Sequence, residues 1–202
     1  MWLALSLNQA AHAMSDHALL THDVALDALY QAIAELNLGV ENAELLGPLG
    51  DNAVFRLRSG VVARVSTGDA TERAAREVRV AQWLESVPFP AVRVWPGATH
   101  PVEVAGCVVT FWVYIKEIRQ ASPSELGHFL RELHMIPTPP TGIVGPFEPF
   151  TRIAEHIESA TGLENDEQDT LRSIHDKLQQ QYHDISFGEK PCVIHGDAHR
   201  NN

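Results

Sequence analysis

The sequence predicts an α+β fold in which a strand-rich first half precedes a helical second half. Short β-branched and aromatic runs, separated by Gly, Pro, Asn and Asp, dominate the segment from about residue 43 to residue 66. The very apolar stretch Val102–Ile115 is typical of a buried strand or hairpin. Beyond Lys116, apolar residues recur at helical spacing. A chain of 202 residues suffices for one large domain or two small lobes.

Apolar residues that recur every three or four positions predict a first helix after Asp23. Asp23 is the candidate cap at its start, and Gly39 is the candidate stop at its end. Three short strands follow, separated by turn residues that include Gly50-Asp51-Asn52 and the two-residue turn Ser59-Gly60. The predicted strands are Ala43–Leu49, Ala53–Arg58 and Val61–Ser66. Together they form an antiparallel hairpin series.

A second helix, Asp69–Glu85, is predicted from an apolar stripe among charged residues. The proline-rich stretch after it contains one short strand candidate, Val92–Trp95. The remaining predicted elements are three helices and a final short strand. They are Ser122–Met135, Thr151–Ala160, Asn165–Asp184 and the strand Cys192–Ile194.

The composition excludes several function classes. Lys and Arg number 15 against 26 Asp and Glu, so the net charge of -11 disfavours binding to nucleic-acid phosphates or anionic membranes. No segment of the sequence approaches the roughly 18 consecutive apolar residues of a membrane span.

Cys107 and Cys192 lie in apolar runs and are expected to be buried hydrophobic residues rather than to form a disulfide. The apolar start, Met1–Ala13, lacks the positive charge of a signal peptide and is interpreted as an extension.

Four residues carry the chemistry suggested by the sequence. Asp197 follows an apolar run and a glycine, where its carboxylate could accept a proton from a hydroxyl group. Asn202 offers an amide oxygen suited to magnesium. Arg64 shares one face of a predicted strand with Val62, and a cation on an apolar face is costly unless it is paired. Glu77 on the following helix is the candidate partner.

The order of these parts resembles the aminoglycoside phosphotransferase and choline-kinase-like family of small-molecule kinases. The resemblance runs from about residue 40 to the end, and five segments carry it. They are GDNAVFRL from Gly50, VARV from Val62, REVRVAQWL around Glu77, LGHFLRELH from Leu126 and HGDAHRNN from His195. It implies a protein-kinase-like two-lobe architecture with an N-terminal antiparallel sheet plus helix and an incomplete helical C-terminal lobe.

The resemblance also assigns roles to residues. Asp197 would be the catalytic base and Asn202 a magnesium ligand, while His195 and Gly196 would shape their loop. The hairpin Gly50-Asp51-Asn52 would cover the nucleotide phosphates. Arg64 stands where such kinases usually carry a lysine, with Glu77 as its partner, although arginine is not a simple replacement for lysine. Val62 would also bind the nucleotide. The connector Thr110–Tyr114 would line the adenine pocket, with the bulk of Phe111 or Trp112 and with Tyr114.

The family implies ATP or GTP with Mg²⁺ as cofactors, a small-molecule acceptor and a cytoplasmic location. Residues 1–15 are predicted to form an extension, 16–115 a helix plus the nucleotide-binding lobe, and 116–202 a partial helical lobe. The family's second acidic metal motif follows the catalytic loop, and none follows it within these 202 residues. We therefore expect a truncated form with little or no kinase activity by itself.

Two alternatives remain open at the level of sequence. His195, Asp197 and His199 form an H-x-D-x-H set that could bind zinc in a hydrolase. The chain could instead be a non-catalytic nucleotide- or partner-binding fragment of a kinase. In that case exposed apolar helix faces would favour self-association.

Overall fold

The computed structural model describes residues 20–38, 42–57, 60–116, 119–187 and 191–199. The described residues divide into two units. The first contains the chain up to Val144 together with residues 192–199, and the second contains the described residues between Gly145 and Pro191. No helix in the described part of the chain is long and apolar enough to span a membrane.

A five-stranded antiparallel sheet, in the order β1-β2-β3-β5-β4, forms the centre of the first unit. Its strands are β1 (Ala43–Leu45), β2 (Asn52–Leu57), β3 (Val61–Thr67), β4 (Val102–Val104) and β5 (Cys107–Val113). The apolar stretch predicted as a strand or hairpin is therefore a hairpin, β4–β5. The proline-rich stretch contributes only an isolated bridge between Val94 and Trp112 rather than a full strand.

Alternation along the strands gives the sheet two different faces. Helix α1 (His22–Glu35) covers one face, where Leu29 and Ile33 share a buried core with Phe55 and Phe111. Helix α2 (Thr71–Ser86) lies against the other face. There Ala74 and Ala70 pack on Val108, and Ala81 packs with Val94 and Trp112. Val62, Arg64 and Ser66 alternate with the core residues of β3 and so face α2.

The helix ends show where local chemistry sets the boundaries. Thr21, rather than the predicted Asp23, caps α1, because its hydroxyl accepts a hydrogen bond from the Val24 N–H. A 3₁₀ turn, Gly68–Ala70, leads into α2. The Gly68 N–H donates to the Gly106 carbonyl oxygen at 2.9 Å. A Cβ at Gly68 would lie 2.9 Å from that oxygen, so this close approach requires glycine.

Helix α3 (Pro123–Met135) completes the first unit. Ser122 and Glu125 form a capping box at its start, and hydrogen bonds from Arg119 hold the pKa of Glu125 well below its usual range. Leu133 of α3 packs against Trp83 and Leu84 of α2. In the second unit, α4 (Thr151–Ser159) and α5 (Asn165–His183) are linked by an ion pair between Glu158 and Arg172.

The prediction of a strand at Cys192–Ile194 was wrong. The segment pairs with no strand among the described residues, and a run of three apolar residues forms a strand only where a neighbouring ladder is available. Val193 instead packs in the cluster around Trp83. Cys107 is buried as expected, whereas Cys192 is exposed because its segment lies outside the sheet.

His100 forms hydrogen bonds with two segments of the first unit, the loop at Trp95 and strand β5 at Phe111. Its Nε2 lies 2.9 Å from the Trp95 carbonyl oxygen, and its Nδ1 accepts a hydrogen bond from the Phe111 N–H at 3.3 Å. Both bonds form at once only when the imidazole is neutral with the proton on Nε2. Burial accordingly lowers the pKa of His100 from its ordinary value of 6.5.

This geometry predicts a pH-dependent stability. The unfolded chain takes up the proton at a higher pH than the folded chain, so the contribution of His100 is fully present above pH 6.5. It decreases as the pH falls below that value towards the lower pKa of the folded state. Urea unfolding at about pH 7.5 and about pH 5.5 measures the decrease.

The matched variant is His100→Gln, because glutamine can donate and accept at the same two positions without titrating. We expect the wild-type chain to lose more stability between the two pH values than this variant. Equal losses would show that the proton uptake occurs at other groups.

Candidate functional site

A cavity of about 380 Å³ opens in the first unit between α2 and the sheet face that it covers. Its walls are mainly apolar and aromatic, and Arg64 and Glu77 are the charged side chains that reach it. The full lining consists of Leu46, Val54, Val62, Arg64, Glu77, Ala81, Val92, Trp112, Val113, Tyr114 and Ile115. Apolar pockets with a few convergent polar groups are typical ligand sites.

Arg64 and Glu77 form an ion pair at this cavity. The strand alternation of β3 turns Arg64 toward α2, and Glu77 lies on the buried side of that helix. The side chains are 22% and 6% exposed, so the pair is largely removed from water. Burial lowers the pKa of Arg64 to about 10, and the nearby positive charge of Arg73 acts in the same direction. Arg64 therefore remains protonated at neutral pH.

Buried polar residues extend from the ion pair along the sheet. Thr110 on β5 is paired with Arg64 in the strand register and is 1% exposed. Ser66, two residues beyond Arg64, donates its hydroxyl hydrogen to the Asn52 side-chain oxygen at 2.5 Å. Asn52 is the first residue of β2 and follows Gly50 and Asp51 directly. The hydrogen bond thus ties the end of the glycine hairpin to β3, on the side of Arg64 away from Val62.

The other end of the cavity is aromatic. Trp112 lies opposite Val62 in the strand register, and its indole N–H donates to the Thr110 hydroxyl at 2.9 Å. Tyr114 donates its backbone N–H to the Gly60 carbonyl oxygen at 2.9 Å. The guanidinium carbon of Arg56 lies 4.4 Å from the centre of the Tyr114 ring. The cavity therefore runs from an aromatic end at Trp112 and Tyr114 to a cationic end at Arg64.

The structure brings most of the predicted nucleotide-binding residues together. Val62, Arg64, Glu77, Trp112 and Tyr114 all line the cavity. Of the two aromatic alternatives, only Trp112 does so. Phe111 points to the opposite face of the sheet and is fully buried in the core with α1, because neighbouring residues of a strand face opposite sides. Gly50 and Asp51 lie in the connection between β1 and β2, and Asn52 begins β2, so none of the three lines the cavity.

The loop that carries the predicted catalytic residues is partly described. Asp197 is exposed and His195 is half-buried, and Gly196 between them has a φ of +81°, a conformation that favours glycine. Asn202 lies outside the described residues. His195, Asp197 and His199 do not form a cluster of three potential metal ligands, nor does any other group in the described part of the chain. The zinc-binding alternative thus has no geometric support there.

Several lining residues were missed at the level of sequence. Val54 is paired with Arg64 in the register of β2 and β3, and Ala81 lies one helical turn after Glu77. Both could have been found by extending the strand alternation and the helical period from the ion pair. Leu46, Val92 and Ile115 fell within predicted strands but lie outside the observed ones, so the strand pattern did not indicate that they face the cavity.

Solved structures with the same fold are aminoglycoside phosphotransferases. APH(3'')-Id from Streptomyces rimosus is 20% identical, with a TM-score of 0.52 over 77% of this chain and 61% of that one. ADP-bound APH(2'')-Ib is 16% identical, with a TM-score of 0.53 over 81% and 60%. APH(2'')-IIa, in a complex with gentamicin, is 15% identical, with a TM-score of 0.58 over 87% and 62%. These similarities confirm the predicted kinase-like α+β fold.

The chain spans about 60% of the length of these solved structures. None of the curated proteins compared with it matches. The model of the phosphotransferase enzyme family (APH) matches residues 43–202, which contain β1 to β5, the cavity, the Arg64–Glu77 pair and the loop at Asp197. The chain belongs to the phosphotransferase enzyme family.

Proposed function

We propose that the cavity binds the nucleotide of an ATP- or GTP-dependent phosphotransferase that phosphorylates a hydroxyl group of a small molecule. The single observation that carries this proposal is the Arg64–Glu77 ion pair at one end of an aromatic-walled cavity. A nucleotide has the matching asymmetry, with a flat apolar base at one end and a polyanion at the other.

The arrangement of the walls supports the orientation of this ligand. Trp112 and Tyr114 offer aromatic surface for a base, and an aromatic ring can stack on any of the nucleobases. Arg64 offers a planar donor group that is charged at neutral pH and matches phosphate oxygens. Glu77 holds that group in place, because its carboxylate is almost completely buried against it. Phosphoryl transfer depends chiefly on such positioning and charge stabilisation.

The proposal for the acceptor molecule and for the catalytic base is based on the family to which the chain belongs. One solved relative of the same fold is bound to ADP and another to gentamicin, which supports a nucleotide and an amino sugar as the classes of ligand to test. Asp197, exposed on its loop, is proposed to accept the proton of the acceptor hydroxyl. We further propose a cytoplasmic location, where ATP is supplied.

Magnesium would neutralise phosphate charge in such a reaction. The described residues do not form a site for it by themselves, because none of their acidic and histidine side chains cluster in threes. Asn202, the predicted ligand, lies outside the described residues. The assignment of Mg²⁺ to Asn202 therefore stays a prediction from the family resemblance.

Calorimetric titration of the chain with ATP and with GTP tests the nucleotide site. We expect saturable binding of at least one of them and an increase in thermal stability that grows with ligand concentration. Absence of binding to both nucleotides would contradict the proposal.

Asp197→Asn tests the chemical role separately. Any phosphoryl transfer to an amino-sugar hydroxyl should be lost in this variant, while nucleotide affinity stays unchanged. Asp27→Asn on α1 removes the same charge far from the cavity in sequence and serves as the control, with no expected effect. Transfer that survives in Asp197→Asn would remove Asp197 from the mechanism. Nucleotide binding without transfer in the wild type would favour the non-catalytic alternative.

A further inference from the structure

A second arginine lies near the cationic end of the cavity, and the family resemblance assigns it no role. We propose that Arg73 on α2 binds phosphate together with Arg64 and makes this end selective for nucleoside di- and triphosphates. The inference rests on the proposed nucleotide site and specifies which part of the ligand that end of the site recognises.

The position of Arg73 follows from how α2 packs along the sheet. Ala81 packs near Trp112 at the aromatic end, and Glu77, one turn earlier, contacts Arg64. Ala74, almost one turn earlier still, packs on Val108, the residue paired with Ser66. Arg73 precedes Ala74 and lies one helical turn before Glu77 on the same side of the helix. It is therefore located beyond the ion pair, toward Ser66 and the glycine hairpin.

Two arginines approach each other at this end, and Asp69, one turn before Arg73, accepts a hydrogen bond from the Thr67 hydroxyl. Glu77 is paired with Arg64, and Arg73 lies within electrostatic reach of the same guanidinium. Burial chiefly lowers the pKa of Arg64, and the charge of Arg73 acts in the same direction.

Arg73 is half-buried, and the ion pairs among the described residues do not include it. Arg79 on the same helix, by contrast, is paired with Glu72 at 2.9 Å. A half-buried arginine next to a second, buried guanidinium is suited to bind an anion long enough to reach both groups.

The geometry indicates which anion. The base end of the cavity is fixed by Trp112 and Tyr114, so a nucleotide directs its phosphates toward Arg64 and then Arg73. The hydrogen bond from Ser66 to Asn52 anchors the glycine hairpin at this same end. A single phosphate next to the sugar would reach Arg64 first, and a longer phosphate chain is needed to engage both guanidinium groups. Arg73 should thus distinguish ATP and ADP from AMP and adenosine.

Titration of wild type and Arg73→Gln with ATP, ADP, AMP and adenosine tests this. We expect ATP affinity to fall roughly 10-fold or more in the variant, since hydrogen bonds to charged groups are the strong ones. The loss should shrink as phosphates are removed and vanish for adenosine. The dependence of ATP affinity on salt should also become weaker, because one phosphate contact fewer is made. Arg73→Lys should recover part of the affinity.

Arg79→Gln is the matched control, because it removes an equal charge from the same helix at a residue already paired with Glu72. It should leave every affinity unchanged. An equal loss for adenosine and ATP in Arg73→Gln would assign Arg73 a structural role and overturn the inference, as would unchanged ATP affinity. These outcomes leave the nucleotide site standing when the wild type binds ATP. If the wild type binds no nucleotide, both proposals fail.

Discussion

Replacing Glu77 with leucine is expected to lower the free energy of unfolding by about 3–5 kcal/mol. The substitution removes the carboxylate that offsets Arg64 and leaves a guanidinium that is only 22% exposed without its partner. The nearby Arg73 adds to the cost, because its charge has the same sign. Urea unfolding of the purified variant at neutral pH measures the loss. Loss of less than about 1 kcal/mol would mean that water reaches Arg64 when Glu77 is gone.

A double substitution separates the structural role of the pair from its functional role. Arg64→Met combined with Glu77→Leu replaces both charges with apolar groups, a change that is often neutral or stabilising in proteins. We expect the double variant to regain most of the stability lost by Glu77→Leu alone. It should nevertheless bind ATP much more weakly than the wild type, because Arg64 is lost from the cationic end of the cavity. A double variant that binds ATP like the wild type would contradict the assignment of Arg64 to the phosphates.

The ion pair was predictable because two local periods determine it. The period of two along β3 places Arg64 and Val62 on the same face, and the helical period of α2 places Glu77 among buried residues. An arginine on an apolar face requires a partner, and the next element supplies one carboxylate on its buried side. Local pattern and electrostatics therefore made the two residues candidates, and the order of parts shared with the family favoured pairing them.

Other features depend on contacts between distant segments and left no local signal. The order β1-β2-β3-β5-β4 decides which face of β5 meets α2, and this separates Trp112 in the cavity from Phe111 in the core. The run Cys192–Ile194 has the composition of a strand, yet no described strand pairs with it. Its Val193 packs against the cluster that contains Trp83, a residue more than a hundred positions earlier in the sequence.

Replacing Trp112 with alanine is expected to weaken nucleotide binding by roughly 10- to 100-fold, the range found when a stacking aromatic residue is removed. The indole forms the aromatic end of the cavity and packs against Ala81 and Val94, so its loss both removes the stacking surface and enlarges the space for the base. Adenosine and ATP should lose affinity by the same factor, because the base rather than the phosphates loses its contact. This pattern is the opposite of that expected for Arg73.

Trp112→Phe is the control for the ring itself. Phenylalanine keeps an aromatic face but loses the indole N–H that donates to Thr110, so it should preserve most of the affinity at a small cost in stability. Fluorescence titration is unsuitable for a tryptophan variant, and calorimetry with adenosine and ATP gives the comparison directly. If Trp112→Ala binds both ligands as tightly as the wild type, the base does not stack at this end of the cavity. The orientation that places the phosphates at Arg64 would then have to be reversed or abandoned, since that orientation depends on the aromatic end holding the base.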